Sequence, residues 1–286
     1  MKTLDAIVPG VLAALLAGGP AMAAVDVDAL WNFSDPAASE RRFRAALATA
    51  AGDDALVLRT QIARTFGLRR QFDRAHAELD AMAPALQAAG PVVRVRADLE
   101  RGRTLRSAGQ AAASRPLFRR AHETAAAAGL DALAADALHM IALVAEGLDE
   151  RLDWNRQALA LARRSADPGA RRWAGPVLNN IGNDLRGAGR LAESLAMFQE
   201  AQAAYEQSGR TGGARFARWQ VANVLRLLGQ ADEALALQLA LERDNAAAGA
   251  PDVYVFEELA LLYAAKGDAA RAAHYRELKA RQESRP

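Results

Sequence analysis

The chain contains no cysteine. That removes disulfides, thiolate zinc sites, iron–sulfur clusters and cysteine nucleophiles together, and leaves the redox compartment open. Aromatic residues make up 6% of the sequence, and neither glycine (21) nor proline (10) is enriched, so a strand-rich or low-complexity chain is not expected. Charge of one sign is missing too: 36 basic and 34 acidic residues leave a formal net charge of +2. Lysine occurs only as Lys2, Lys266 and Lys279, and the arginines come as pairs such as Arg69-Arg70 and Arg171-Arg172, interleaved with acids. A duplex-binding face needs a concentrated basic stripe, so no nucleic-acid partner is expected.

Catalytic patterns are also missing. There is no phosphate-binding glycine loop ending in lysine, no nucleophile elbow and no histidine pair at metal spacing. His76, His122, His139 and His274 are isolated. Glu257 and Glu258 are adjacent, and neighbours on a helix point about 100 degrees apart, which argues against a shared acid/base role. No enzyme activity, metal or cofactor is expected.

What is present is helix-forming. About a quarter of the 286 residues are alanine and 51% are hydrophobic, which points to an all-α chain. The amino terminus differs from the rest: Lys2 precedes an apolar run from Ala6 to Ala17, then Gly18-Gly19-Pro20 and Ala21-Met22-Ala23. The run is too short to span a bilayer, and the small residues suit cleavage before Ala24. Residues 1–23 therefore read as a signal peptide. This predicts a periplasmic or secreted chain without a membrane anchor after cleavage, or a cytoplasmic one if the segment is kept.

Downstream, one pattern recurs. In its clearest copy Leu178, Ile181-Gly182 and Leu185 are followed by Gly189, Ser194, Phe198 and Ala201. The small residue of each copy falls at Ala63, Gly102, Ala142, Gly182, Ala222 and Ala260, in steps of 39, 40, 40, 40 and 38. Each element has a packing reason. The small residue lets a second helix cross closely, so a leucine at Gly182 should overpack the pair by about 1–3 kcal/mol. Gly109, Gly189, Gly229 and Gly267 supply the left-handed residue that closes a first helix. Phe118 and Phe198 fill space towards the next repeat. The third copy is irregular: Trp154 comes early and its turn glycine is not evident. Ahead of the repeats, Asp35-Pro36 reads as a helix cap and first position, with Trp31 and Phe33 stapling the entry.

The pattern resembles the tetratricopeptide repeat family over residues 56 to 283, with a period near 40 residues instead of about 34. HEAT-type repeats have comparable length but would not need the glycine-closed, alanine-packed pattern. The resemblance implies a right-handed superhelical solenoid of antiparallel helix pairs. Its expected organisation is a signal peptide (1–23), an amino-terminal capping helix region (24–55) and about six repeats (56–286).

The resemblance also implies a concave groove lined by the first helices, one turn before and just after the small residue. That selects Arg103 and Arg106; Asn179, Asn180, Asn183 and Arg186; Trp219, Gln220, Asn223 and Arg226; and Tyr254, Glu257 and Glu258. Asparagine is a poor helix former, so three in five positions call for a reason. Amides can hold an extended peptide backbone, Arg186 and Arg226 can fix a carboxylate, and Trp219 and Tyr254 offer flat apolar contact. The expected partner is a protein or extended peptide on the concave face. Three alternatives stay open: a sensor for a small anion held by Arg64, Arg103, Arg106, Arg186 and Arg226; a hydrolase site built from His139, Glu257 and Glu258; and a self-associating structural solenoid.

Overall fold

A computed structural model describes residues 25–284. The segment read as a signal peptide lies outside the described residues. Among the described residues two helices, α1 (Val27–Leu30) and α2 (Pro36–Leu47), precede six antiparallel pairs. These are α3 (Gly52–Leu68) with α4 (Phe72–Asp80), α6 (Pro91–Ser107) with α7 (Ala111–Ala127), and α8 (Asp131–Ala142) with α9 (Leu148–Arg164). They continue as α11 (Ala174–Gly187) with α12 (Leu191–Gln207), α13 (Thr211–Leu227) with α14 (Ala231–Ala247), and α15 (Val253–Ala265) with α16 (Ala269–Glu283). Short helices α5 (Ala83–Leu86) and α10 (Pro168–Arg171) lie in the connections after the first and third pairs. The pairs stack as a right-handed superhelical solenoid. Among the described residues there is no strand, and no helix is long and apolar enough to cross a membrane.

The turns within pairs follow one design. Gly109, Gly189, Gly229 and Gly267 have φ of +83°, +75°, +80° and +77°. The residue after each donates its N–H to a carbonyl five positions back, as in Gln110 to Leu105 and Gln230 to Leu225, both at 2.9 Å. This bond satisfies a carbonyl that the helix end would otherwise leave orphaned. The third pair, whose turn glycine is not evident from the sequence, uses Gly147 at φ +82° to open α9.

The small residues on the first helices answer the size of what faces them. A Cβ at Gly182 would lie 2.7 Å from Cε1 of Phe198, and one at Gly102 would lie 2.4 Å from Cε1 of Phe118. Both rings are fully buried, and Phe198 continues into a cluster with Val221 and Val224 of α13. What approaches the glycine is thus a ring from the second helix. Sixteen positions after the small residue the chain has Phe118 and Phe198 against glycine, but Leu79, Ala158 and Gln238 against alanine. The sixth repeat has exposed Arg276 there.

At the other end Asp35 caps α2, accepting from the Ala38 N–H at 2.9 Å, with Pro36 in the first turn. Trp31 packs edge-on to buried Phe43, with ring centroids 5.1 Å apart, and Phe33 stacks outside it, mostly exposed. Only Trp31 enters the core; Phe33 covers it. Helix α16 keeps Arg271, Arg276, Glu277 and Arg281 in solvent.

Candidate site on the concave face

The first helices α3 and α6, α6 and α8, α11 and α13, and α13 and α15 stand side by side, and α8 meets α11 through His139 and Asn180. Counted from the small residue, position −2 holds Gln61, Glu100, Met140, Asn180, Gln220 and Glu258. Position +1 holds Arg64, Arg103, Leu143, Asn183, Asn223 and Leu261, and position +4 begins Gly67, Arg106, Glu146, Arg186 and Arg226. At about 100 degrees per residue these positions form one stripe.

Polar groups on this stripe bond from each repeat to the next. The Trp31 indole N–H donates to Gln61 Oε1 at 3.1 Å. Arg64 lies 3.6 Å from Glu100 Oε1, and Arg103 donates to Glu100 at 2.5 Å and also to Asp136 of α8. Burial opposes charge on both Asp136 and Arg103, but their mutual attraction outweighs it, holding the Asp136 carboxyl below its ordinary range and raising the Arg103 guanidinium. His139 sits beside this pair, 3.0 Å from the Asn180 amide through Nδ1 and against the Trp173 ring. Its burial, helped by the positive charge of Arg103 and Arg106 and opposed by Asp136, pushes the imidazole down to about 4.

Further along, one network spans three helices. Arg186 donates to Asn183 (2.8 Å), Gln220 (2.7 Å) and Asn223 (2.8 Å). The Gln220 amide donates to Asn183 Oδ1 at 3.1 Å, and the Asn223 amide donates to Glu258 Oε1 at 2.7 Å. Arg226 forks onto the same carboxylate at 2.7 and 3.0 Å. Gln220, Asn223 and Glu258 are buried. The fork of Arg226 and most donors of Arg186 are therefore engaged within the chain, and the amides serve as struts between helices.

The remaining sequence-selected residues are placed differently. Asn179 lends its backbone carbonyl to the Asn183 amide. Glu257 turns away from Glu258 towards Lys279, 3.7 Å from its ammonium. Arg106 is exposed and makes no ion pair among the described residues. Trp219 donates its indole N–H to the Tyr254 carbonyl at 3.2 Å and meets the Tyr254 ring edge-on at 6.0 Å. Tyr254 itself is 62% exposed.

Two residues of this face were not singled out from the sequence. Phe216 is 49% exposed and stacks near-parallel on Trp219, with centroids 6.1 Å apart. Its three-residue spacing from Trp219 was the available signal. Arg70 closes the first pair where the aligned copies have glycine, which laying the copies over one another exposes. Among the described residues no cluster of three or more histidine, aspartate or glutamate side chains is arranged to hold a metal ion.

No protein-family model matches the sequence, and no curated protein matches it. Solved structures do resemble it. The apo form of RapI superposes with a TM-score of 0.69 at 10% identity, covering 87% of this chain and 71% of RapI. A STAND signal-transduction ATPase with a tetratricopeptide repeat sensor from Pyrococcus horikoshii gives a TM-score of 0.69 at 9% identity, covering 87% of this chain and 39% of that one. The Rap conjugation gene regulator of plasmid pLS20, in complex with the Phr* peptide, gives 0.59 at 13% identity, covering 90% and 73%. At such identities the likeness is one of architecture, and the chain has the tetratricopeptide-type helical repeat fold.

Proposed function

We propose that this chain is a noncatalytic scaffold that holds an extended peptide or protein segment along its concave face. The observation that carries the reading is the aromatic strip in which Phe216 and Tyr254 stay exposed on either side of half-buried Trp219, on a stripe where most polar groups are already paired. Exposed aromatic anchors set in a rigid polar surround are the groups that dominate binding energy at interfaces. The network from Asn183 to Glu258 supplies the rigidity, fixing the rotation between repeats before a partner arrives. A structural neighbour in complex with a peptide supports the same reading. The apolar run Ala6 to Ala17 and the small residues before Ala24 support reading this activity as one carried out after export.

The test is a positional-scanning library of immobilised octapeptides, probed with the purified chain and with Phe216→Ser/Tyr254→Ser. The wild type should select apolar or aromatic residues at one or two positions, and the double variant should lose that selection at an unchanged melting temperature. A library that yields no selection, or the same selection from both proteins, overturns the scaffold reading.

A further inference from the structure

Counted from the small residue, position −6 of the first helices holds Val57, Arg96, Asp136, Pro176, Phe216 and Tyr254. It lies seven residues, two helical turns, ahead of position +1 and so on the same face. In the fifth and sixth repeats this lane is open, with Phe216 and Tyr254 exposed. In the first two it is covered by the chain itself. Val27 of α1 is buried and shares an apolar cluster with Val57 of α3 and Val93 of α6. Burial pushes the Arg96 guanidinium down, and the carboxylates of Glu100, Asp136 and Asp28 act against that. Asp28 also meets Arg172, at 3.5 Å, on the connection that leads into α11.

This last contact differs in reach from the others on the concave face. The bonds described above join neighbouring repeats, whereas the first three pairs separate Asp28 from Arg172. The curl of the stack therefore brings the amino-terminal segment back over its own groove. Its anchor is Trp31, which packs on Phe43, donates to Gln61 and lies under the Arg64 guanidinium at 5.5 Å. Ahead of that anchor the hold is slight. Of residues 25–30 only Val27 is buried, and the side chains of Asp28 and Arg172 are 78% and 56% exposed. An exposed ion pair is a weak tie, and a segment with so few buried groups opens locally well before the fold does.

We propose that residues 25–30 are an autoinhibitory strap over the amino-terminal part of the groove. The strap pivots at Trp31, is latched by Asp28 on Arg172, and is lifted when a bound segment extends from repeats 5 and 6 into repeats 1 and 2. The device rests on the concave-face reading and gives the groove two states: half covered, which accepts short segments, and open, which accepts long ones.

The test compares the octapeptide library with a library of hexadecapeptides, which at about 3.3 Å per extended residue can run the length of the groove. The proteins are wild type, Asp28→Arg, Arg172→Asp, the two exchanged together, and Asp28→Cys/Arg172→Cys joined by a short bismaleimide. The chain has no cysteine of its own, so the crosslink forms only there. Both positions are exposed, and melting temperatures should match the wild type. Each single reversal should tighten hexadecapeptide binding about two- to fivefold and leave octapeptide binding unchanged. The exchanged pair should return to the wild-type ratio, and the crosslinked chain should bind hexadecapeptides no better than octapeptides. Amides of residues 27–30 should exchange with deuterium faster in each single variant and at the wild-type rate in the exchanged pair. Peptide selection with the same length dependence in all five proteins, or amide exchange indifferent to the reversals, overturns the strap and spares the scaffold. No selection by any of the proteins overturns both.

Discussion

Replacing Gly182 by alanine tests the packing logic, because two opposing effects can be sized. In a helix interior alanine is favoured over glycine by about 0.5–1 kcal/mol. Against this, a Cβ at Gly182 would stand 2.7, 2.8 and 2.9 Å from three carbons of the Phe198 ring. The ring is 0% exposed and clustered with Val221 and Val224, so it cannot swing aside. Overpacking of this kind costs about 1–3 kcal/mol, and steric strain should win by about 1–2 kcal/mol. Gly187, on the same helix, has nothing within 4 Å of its Cβ position, so Gly187→Ala should stabilise by up to about 1 kcal/mol. The two substitutions should therefore move the denaturant midpoint, followed by far-UV circular dichroism, in opposite directions. Adding Phe198→Leu to Gly182→Ala recreates the pairing of Ala63 with Leu79 and should recover part of the loss. If Gly182→Ala stabilises as Gly187→Ala does, the close ring contact is not what excludes a side chain there.

Three further outcomes follow from the paired and unpaired polar groups. Glu258→Ala removes the acceptor for Asn223 and both bonds of Arg226; the side chain of Arg226 is 24% exposed and can reach water, so the loss should be about 2–3 kcal/mol, short of the full buried-pair value. Guanidinium unfolding checks it, and a change within about 0.5 kcal/mol would show that the network carries no stability. Gln238 is 0% exposed with neither amide atom hydrogen-bonded, so Gln238→Leu should raise the unfolding free energy by about 1–2 kcal/mol, and a lower melting temperature would contradict this. His139, at about 4 in the fold against 6.5, has no effect on stability above pH 6.5. Below that value the unfolded chain takes a proton that the folded one refuses, so stability falls towards pH 4 by up to about 3 kcal/mol. His139→Gln should flatten the pH dependence of the melting temperature between those limits; equal slopes in both proteins would refute the assignment.

The boundary between what the residues alone reveal and what needs the fold follows the range of the forces. The small residue, the closing glycines and the cap at Asp35 concern partners within about twenty positions, where helix geometry fixes which side chains meet. They were legible, and the structure has them at Gly182, Gly189, Phe198 and Asp35. The third repeat was less legible because Gly147 and the short α10 shift its turns without altering the small residue Ala142.

The groove was legible only as a set of residues. Asparagine, glutamine and arginine offer the same donors and acceptors to a ligand or to a neighbouring helix. The partners in question, Arg186 with Asn223 or Arg226 with Glu258, lie more than thirty positions apart. Which use prevails depends on how far one repeat is rotated on the next, and that angle is set by the whole stack of buried side chains. Only the tertiary structure therefore separated the amides that brace the solenoid from Phe216, Tyr254, Arg70 and Arg106, which it leaves exposed.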